Sequence, residues 1–366
     1  MGLLGIYITI YQSVISTIAK EYAINSTMIG MIVALHFIGS VIAPTIFGEI
    51  SVRIGKKTIA LIALSMMILG LLSVYISKSL VAISVGIFLI GCGFAVIEGT
   101  LSGVLSELNH DNTNRVMNLS QMFFSIGAVT GPLISIMSIS LFGSWKVSFL
   151  FMIILFGLTA AYLSKLEFGI KKVTTEIEKG FIIIKLFKEK VFIYLCVSIF
   201  IYVGIEEGVA FWLNTYFKNT FNLSQLGSYT LSGYWASMII GRYLASRFQN
   251  KHSLFLKGGL LISLSFFVVA LLFKNSIVDF ICFLIIGLGF SAVWPIIMSM
   301  TARYFPKYVG AAFGVMMTSG AVGGIFVPFF IGLIINFMEI RLAFWVIPIL
   351  IISILIMQIK ISRIRV

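Results

Sequence analysis

Twelve long apolar segments follow one another along the chain, and they constrain its fold more than any other feature. A helix needs roughly 20 apolar residues to cross the hydrocarbon core of a bilayer, and each segment is close to that length or longer. Inside a bilayer the backbone polar groups must be satisfied within the segment, which favours α-helices. The segments span residues 2–19, 27–50, 57–77, 80–106, 115–142, 146–165, 191–217, 224–247, 254–273, 277–302, 308–336 and 342–361. We therefore predict an all-α membrane protein with twelve transmembrane helices.

The composition agrees with this prediction. Hydrophobic residues make up 60% of the chain and charged residues 11%, whereas a soluble domain carries about 25% charged residues. The 33 glycines suit the close packing of helices in a membrane. The first segment lacks a basic region and a clear small-residue cleavage site, so we interpret it as the first helix and not as a signal peptide. We expect an integral, multi-pass protein that lies in the lipid bilayer.

Lysine and arginine are distributed unevenly between the two sides of the membrane. If the N-terminus is cytoplasmic, 20 of the 26 fall in cytoplasmic loops and the C-terminal tail. Loops rich in these residues stay in the cytoplasm, so we predict that both termini are cytoplasmic and that the protein lies in the cytoplasmic (plasma) membrane. The net charge of +13 is spread over many short loops and indicates topology, not a nucleic-acid surface. The remaining six cations are Lys20, Lys78, Lys146, Lys218, Lys274 and Arg341.

The chain has the organisation of an internal repeat. GCGFAVIE at 91–98 matches GLGFSAVW at 287–294, an offset close to half the chain, and the longest polar stretch lies between the halves at 165–190. We predict a six-helix bundle at 1–166, a cytoplasmic linker at 167–190 and a second bundle at 191–366, related by pseudo-symmetry. Within the linker, FIIIKLF is either a short amphipathic helix on the membrane surface or part of a solvated connector.

These features resemble the major facilitator superfamily over the whole chain. The loop after the second segment reads GEISVRIGKK at 48–57, and the loop after the eighth reads GRYLASRFQNK at 241–251. Val52 stands where the family has an aspartate that takes part in a charge network. The resemblance implies a transporter that works by alternating access. It assigns a conformational gating role to Gly48, Arg53, Gly55, Lys56, Arg242 and Arg247.

Within the superfamily, the chain is similar to the fucose:proton symporter group. The similarity lies in GCGFAVIE, in RVMNLSQMFFSIGA at 115–128 and in a Tyr-x-Gly-x-Glu pattern that begins at Tyr202. It implies that Glu98, Asn118 and Gln121 line a site for sugar and proton. The group has an aspartate in its first helix, and this chain has none there.

Only three of the 13 acids, namely Glu98, Glu206 and Glu207, lie well within the apolar segments. A charge at that depth costs at least about 2.5–3.5 kcal/mol. No Lys or Arg lies deep in a segment by this reading, so we predict that these acids bind and release the coupling proton. Family similarity favours Glu206 over Glu207, whereas a helical stripe of Glu207, Phe211 and Asn214 favours Glu207. A structural, hydrogen-bonded Glu98 is the alternative to a proton carrier.

A polar stripe in the fifth segment predicts a ligand site. Asn118, Gln121 and Ser125 share one helical face, and such a stripe must face the protein interior or water. Paired donors and acceptors suit a ligand with several hydroxyl groups. Gly127-Ala-Val-Thr-Gly-Pro132 resembles a motif of drug:proton antiporters, and close packing explains it equally well. Further substrate-binding candidates are Tyr7, Tyr11, Gln12, Tyr202, Asn214 and Trp294, for which packing roles are the alternative.

We therefore predict a secondary active transporter that moves a small polar solute, a monosaccharide or related polyol, together with a proton. The aromatic content of 14% and the 16 methionines also suit a greasy cavity, so a drug or metabolite:proton antiporter is the first alternative. A non-transporting membrane receptor is the second. The sequence shows no nucleotide-binding loop, metal-ligand cluster or catalytic triad, so we expect no enzyme activity, cofactor, metal or nucleic-acid partner. We expect a monomer.

Overall fold

A computed structural model of the chain describes residues 1–24, 26–166, 182–248 and 251–364. These residues form fifteen α-helices, two single-turn 3-10 helices at His110–Asn112 and Pro306–Tyr308, and no strand. The α-helices are α1 (Gly2–Glu21), α2 (Ser26–Ile54), α3 (Lys56–Ile76), α4 (Leu80–Leu108), α5 (Thr113–Phe142), α6 (Lys146–Lys165), α7 (Ile182–Lys188), α8 (Lys190–Phe221), α9 (Ser224–Arg247), α10 (His252–Leu272), α11 (Ser276–Phe290), α12 (Val293–Tyr304), α13 (Val309–Ile335), α14 (Ile340–Ala343) and α15 (Val346–Arg363).

The all-α membrane fold predicted from the sequence is confirmed. Ten of the twelve apolar segments correspond to one helix each, and two are broken into the pairs α11–α12 and α14–α15. Pro295 follows the first break and Pro348 the second, and a proline cannot donate the backbone hydrogen bond that would continue a helix. Within the described residues, nine spans are long and apolar enough to cross a membrane, and two shorter apolar stretches lie at Gly2–Val14 and Ala34–Pro44.

The predicted linker is described only in part. Residues 167–181 lie outside the described residues, and α7 follows them as a helix of seven residues. A short helix was the first of the two interpretations of FIIIKLF. The division of the chain at 166 and 190 stays a prediction.

The helices group into two compact units, and α5, α7 and α13 are each divided between them. Unit 1 comprises Met1–His110, Gly127–Ile184 and Phe305–Thr318, and unit 2 comprises Asp111–Ile126, Lys185–Tyr304 and Ser319–Val366.

In unit 1, α4 packs against both α2 and α3. A Cβ on Gly91 would overlap the backbone of His36 in α2, and a Cβ on Gly93 would overlap the carbonyl oxygen of Ala63 in α3. Each glycine of the Gly-x-Gly pair therefore permits close approach to a different neighbouring helix.

In unit 2, α11 packs against α9 and α10 in the same manner. A Cβ on Gly287 would meet the carbonyl oxygen of Tyr234 in α9 at 2.5 Å, and one on Gly289 would meet the carbonyl oxygen of Gly259 in α10 at 2.6 Å. Two Gly-x-Gly pairs related by the offset of 196 thus make equivalent contacts, which is the structural counterpart of the internal repeat.

Close packing also accounts for the glycine motif of α5. A Cβ on Gly127 would overlap the carbonyl oxygen of Gly2, the first residue of α1, and in unit 2 a Cβ on Gly323 of α13 would overlap the carbonyl oxygen of Phe200 in α8. Substituting alanine at either glycine would force the two helices apart. This geometry favours the packing interpretation of the motif over the antiporter resemblance.

Candidate functional site

Arg242 of α9 is at the centre of a buried polar cluster in unit 2, with 1% of its surface exposed. Its Nε donates to the carbonyl oxygen of Ser291 at 3.1 Å, and its Nη1 donates to the carbonyl oxygen of Gln121 at 2.8 Å and to Oγ of Ser125. Its Nη2 lies 3.4 Å from Oε1 of Glu206. One guanidinium therefore joins α5, α8, α9 and the break between α11 and α12.

The helix break explains why the Ser291 carbonyl is free to accept this hydrogen bond. Residue 295 would donate to it in a continuous α-helix, but Pro295 has no backbone N–H. The next donor, Ile296, bonds to the carbonyl oxygen of Ala292 at 3.1 Å. The proline thus leaves one carbonyl unpaired inside the protein, and Arg242 satisfies it.

Glu206 has a second partner on its own helix. Tyr202 precedes it by four residues, so the two side chains share a helical face. The Tyr202 hydroxyl lies 3.0 Å from Oε1 of Glu206 and 3.0 Å from the carbonyl oxygen of Phe290, and these two acceptors share its single O–H donor. The carboxylate, which is 8% exposed, is therefore compensated by a cation and by a hydroxyl donor, as a buried charge requires.

This pairing corrects one step of the sequence interpretation. We expected no Lys or Arg deep in a segment and assigned Arg242 to a gating loop at the end of α9. The structure places it inside the helix and buries it against Glu206. Tyr234, Met238 and Arg242 follow one another every four residues and all three are buried, but the spacing by itself does not distinguish this helical face from one that faces lipid.

Several buried polar atoms near this cluster have no hydrogen-bond partner among the described residues. They are the Tyr234 hydroxyl, Nε1 of Trp235 and Oδ1 of Asn118. Tyr234 interacts electrostatically with Glu206 and Arg242. The Trp235 ring lies 6.3 Å from that of Phe124, centroid to centroid. Unit 2 therefore offers two donors, one acceptor and aromatic faces, a set that can bind hydroxyl groups and the apolar face of a ring.

The predicted polar stripe of α5 makes two kinds of contact. Asn118 donates from Nδ2 to the carbonyl oxygen of Asn114 at 2.8 Å and to its Oδ1 at 3.0 Å. Gln121 and Ser125 face Arg242, and the Ser125 hydroxyl also donates to the Gln121 carbonyl oxygen at 3.2 Å. The three residues are buried.

A second polar group lies in unit 1, where Tyr7 and Tyr11 of α1 meet His36 of α2. The Tyr7 hydroxyl is 3.4 Å from Nδ1 of His36, and the two tyrosine rings stack at 6.2 Å. The Tyr11 hydroxyl is buried without a partner among the described residues. The Phe94 ring also belongs to this group, with its centroid 5.5 Å from the centroid of the His36 ring. His36 thus contributes packing and a hydrogen bond to this group.

The remaining predicted residues include two carboxylates, of which Glu207 interacts electrostatically with Tyr234 of the unit 2 cluster. Glu98 is half-buried in α4, and Glu207 is half-buried next to Glu206. Gln12 is half-buried in α1, and Trp294 is buried in α12. The side chain of Asn214 lies outside the described residues.

The predicted gating residues are distributed over two sites. Gly55 has a φ of 89° at the start of α3, a value that L-residues with side chains rarely adopt. Lys56 forms an ion pair with Glu107 of α4 and lines a narrow cleft with glycines of α4 and α13. Arg247 is exposed and donates to the Tyr243 hydroxyl. Gly48 and Arg53 belong to α2, and the side chain of Arg53 lies outside the described residues.

Sequence reasoning also missed a second buried ion cluster in unit 2. Asp279 and Arg341, neither of which we placed deep in an apolar segment, are 0% and 8% exposed. Arg341 donates to the carbonyl oxygens of Leu271 and Ala270 at 3.1 and 2.9 Å. It thereby satisfies carbonyls at the end of α10 that have no partner within that helix.

Comparison with known proteins agrees with this architecture. The family model described as Major Facilitator Superfamily matches residues 1–291 and 229–363. The glucose/mannose transporter GlcP of Bacillus subtilis (strain 168) is 28% identical over 312 residues, which are 81% of this chain and 76% of that protein. The E. coli fucose:proton symporter FucP superposes with a TM-score of 0.81 at 16% identity, covering 99% of this chain and 96% of that chain. The human organic anion transporter MFSD10 reaches a TM-score of 0.81 at 14% identity, covering 97% of both chains.

Proposed function

Because the chain belongs to the Major Facilitator Superfamily, we propose that it carries a monosaccharide together with a proton by alternating access. The family is one of transporters and not of enzymes. The proposal extends this assignment to the substrate, the coupling ion and the residues that bind them.

The observation that carries the proposal is the buried pair of Glu206 and Arg242, with polar atoms close by that have no hydrogen-bond partner in the part of the chain that the structure describes. A buried carboxylate that is held by one cation and one hydroxyl can exchange its charge for a proton when its surroundings change. Of the three carboxylates predicted from the sequence, Glu206 has the environment that best supports this role. Glu98 and Glu207 are the two alternative proton sites.

The polar atoms favour a sugar as the substrate. Tyr234 and Trp235 supply donors, and Asn118 supplies an acceptor. A buried polar atom that lacks a partner is costly, so a ligand that satisfies these atoms gains affinity. GlcP of Bacillus subtilis is named as a glucose/mannose transporter. The fold alone does not select the substrate, because an organic anion transporter has the same TM-score as the fucose symporter.

The topology forms part of the proposal. The charge distribution supports cytoplasmic termini in the plasma membrane, and we propose that the protein acts as a monomer. An introduced cysteine at Thr174, in the predicted linker, should be labelled from inside and not from outside intact cells. Labelling by an impermeant reagent from outside would mean that the linker and both termini lie on the opposite side of the membrane from the one proposed.

Transport is tested with purified protein in liposomes. We expect D-glucose, D-mannose, D-galactose or L-fucose to accumulate when the outside is acidic, and accumulation to stop when a protonophore is added. The Asn118→Ala variant should bind the sugar about 5- to 100-fold more weakly, from the roughly 1–3 kcal/mol that an unpaired polar partner costs. Efflux of lipophilic cations without sugar uptake would support the antiporter instead. Sugar binding without counterflow would support a receptor.

A further inference from the structure

We infer that Arg242 is the positioning residue that links proton binding at Glu206 to the release of α5. The inference rests on the proposed function only in taking Glu206 as a proton site. Its basis is that one buried guanidinium binds Glu206 of α8 and two acceptors of α5 at the same time.

The geometry of the guanidinium makes these contacts interdependent. An arginine side chain presents its donors as a planar, rigid fork. The bond from Nε to the Ser291 carbonyl oxygen orients the fork, and Nη1 and Nη2 then point to α5 and to Glu206. A movement of Arg242 relative to Glu206 therefore also changes its bonds to Gln121 and Ser125.

The four acceptors of Arg242 differ in charge. Three are neutral, and only Glu206 can compensate the positive charge of a residue that stays protonated in proteins. When a proton binds to a carboxyl oxygen of Glu206, the ion pair is lost and Arg242 keeps its charge. A buried cation with only neutral acceptors is poorly compensated, so an arrangement in which Arg242 reaches water becomes favoured and α5 loses its anchor.

The surroundings of Arg242 leave few other groups that could respond to pH. The α8 helix contributes Glu206, Tyr202 and the adjacent Glu207, and α9 contributes Tyr234. The α5 residues and the Ser291 carbonyl are uncharged. A pH response in the acidic range can therefore be assigned between two glutamates by substitution.

The link matters because α5 belongs to the first half of the sequence, whereas α8 and α9 belong to the second. Protonation of Glu206 would thus change a contact between elements of the two halves of the repeat. Such a contact is suited to connect proton binding with alternating access, since a proton can shift a conformational equilibrium only through a contact that differs between the two states.

The test measures the distance between α5 and α9 directly. Spin labels are placed at Phe123→Cys and Ile240→Cys, two exposed positions, in a background with Cys92, Cys196 and Cys282 changed to Ala. Distances are recorded in lipid nanodiscs by double electron–electron resonance at pH 8 and pH 5.5. We expect the distribution to become longer at pH 5.5, and the Glu206→Gln variant to show the longer distribution at both pH values.

Three further variants complete the design. Arg242→Gln removes the anchor but leaves Glu206 buried without its cation, and if this variant does not fold, the double variant Glu206→Gln/Arg242→Gln removes both charges. Either should give the longer distribution at both pH values. Lys274→Gln removes an exposed cation elsewhere in unit 2 and should behave like the wild type. A wild-type distribution independent of pH, or a Glu206→Gln variant that still responds to pH, would overturn the inference.

The outcome is independent of the substrate. If the distances respond to pH through Glu206 and no sugar is transported, the role of Arg242 stands and the proposed function fails. If sugar–proton symport is found and the distances do not respond, the proposed function stands and this inference fails.

Discussion

The hydroxyl of Tyr216 donates a 2.7 Å hydrogen bond to Oδ2 of Asp279, and Nη1 of Arg341 lies 3.9 Å from the same oxygen. The Tyr216 ring also stacks on that of Phe344 at 5.0 Å. The cluster joins the ends of α8, α10, α11 and α14, so it fixes one end of unit 2. Its charges are remote in sequence, and no pattern along the chain brings them together.

The first prediction is that Tyr216→Phe destabilises the protein. The substitution keeps the stacked ring and removes the closest donor to a buried carboxylate, which should cost about 1.5–3 kcal/mol. The melting temperature in detergent should fall accordingly. Tyr162→Phe is the matched control, since Tyr162 is exposed. An equal melting temperature for both variants would mean that the hydrogen bond adds nothing to stability.

The second prediction separates the two tyrosines of α1. Tyr7→Phe removes a hydroxyl that contacts His36, so it should lower the melting temperature. Tyr11→Phe removes a buried hydroxyl that has no partner among the described residues, so it should leave the melting temperature unchanged or raise it. If Tyr11 binds substrate as predicted, sugar affinity should still fall several-fold in Tyr11→Phe, measured by equilibrium binding. Unchanged affinity would assign Tyr11 to packing.

The fold was largely predictable because the bilayer imposes one rule on every segment. Twelve apolar stretches gave the helices, and the repeated Gly-x-Gly pairs at 91 and 287 revealed the repeat before their contacts were known. Helix breaks were not predicted, although Pro295 carried the signal, because a proline within an apolar run either bends a helix or interrupts it.

The site was predictable only in part, because the charged residues that the sequence analysis did not place inside the protein lie near the ends of apolar segments. Arg242, Asp279 and Arg341 lie within a few turns of a segment end. At such positions the local sequence does not distinguish a charged residue in a loop from one that is buried inside the protein. The residues that pair with these charges belong to helices that are distant in the chain. The acid of the central pair, Glu206, could be found from its apolar surroundings, and its cation could not.

The third prediction compares two tryptophans whose indole N–H groups differ in pairing. Nε1 of Trp212 donates to the Pro328 carbonyl oxygen at 2.9 Å, and Nε1 of Trp235 has no partner among the described residues. Trp212→Phe should therefore cost about 0.5–1.5 kcal/mol of stability. Trp235→Phe should keep its stability and bind the sugar roughly 5- to 10-fold more weakly, since about 1–1.4 kcal/mol is lost with one hydrogen bond. Calorimetric binding and thermal unfolding on the same samples distinguish the two effects.

The fourth prediction concerns close packing. Gly323→Ala would place a Cβ into the carbonyl oxygen of Phe200, so α8 and α13 must separate, and the yield of folded protein should fall. Gly157→Ala is the control, because nothing lies within 4 Å of a Cβ there and alanine favours a helix by up to about 1 kcal/mol. Size-exclusion chromatography reports the folded fraction. Equal yields would show that the α8–α13 seam tolerates a methyl group.

The last prediction distinguishes the three glutamates as proton carriers. Glutamine imitates a protonated carboxyl in shape and can still accept the Tyr202 hydrogen bond, but it cannot release a proton. Glu206→Gln should therefore retain counterflow without a gradient and lose accumulation driven by a pH gradient. Glu207→Gln, one position along the same helix, is the matched control and should accumulate sugar normally.

Glu98→Gln decides between the sequence prediction and the geometry of unit 2. The resemblance to the fucose symporters placed the carrier at Glu98, whereas the buried cation and hydroxyl donor lie at Glu206. If Glu98→Gln alone loses accumulation in liposomes, the carrier is in α4 and Arg242 has a structural role. If both single variants lose it while counterflow persists, the two carboxylates act in sequence. Normal accumulation by all three variants would mean that the coupling ion is not a proton held by these side chains, because no variant could then have removed its binding group.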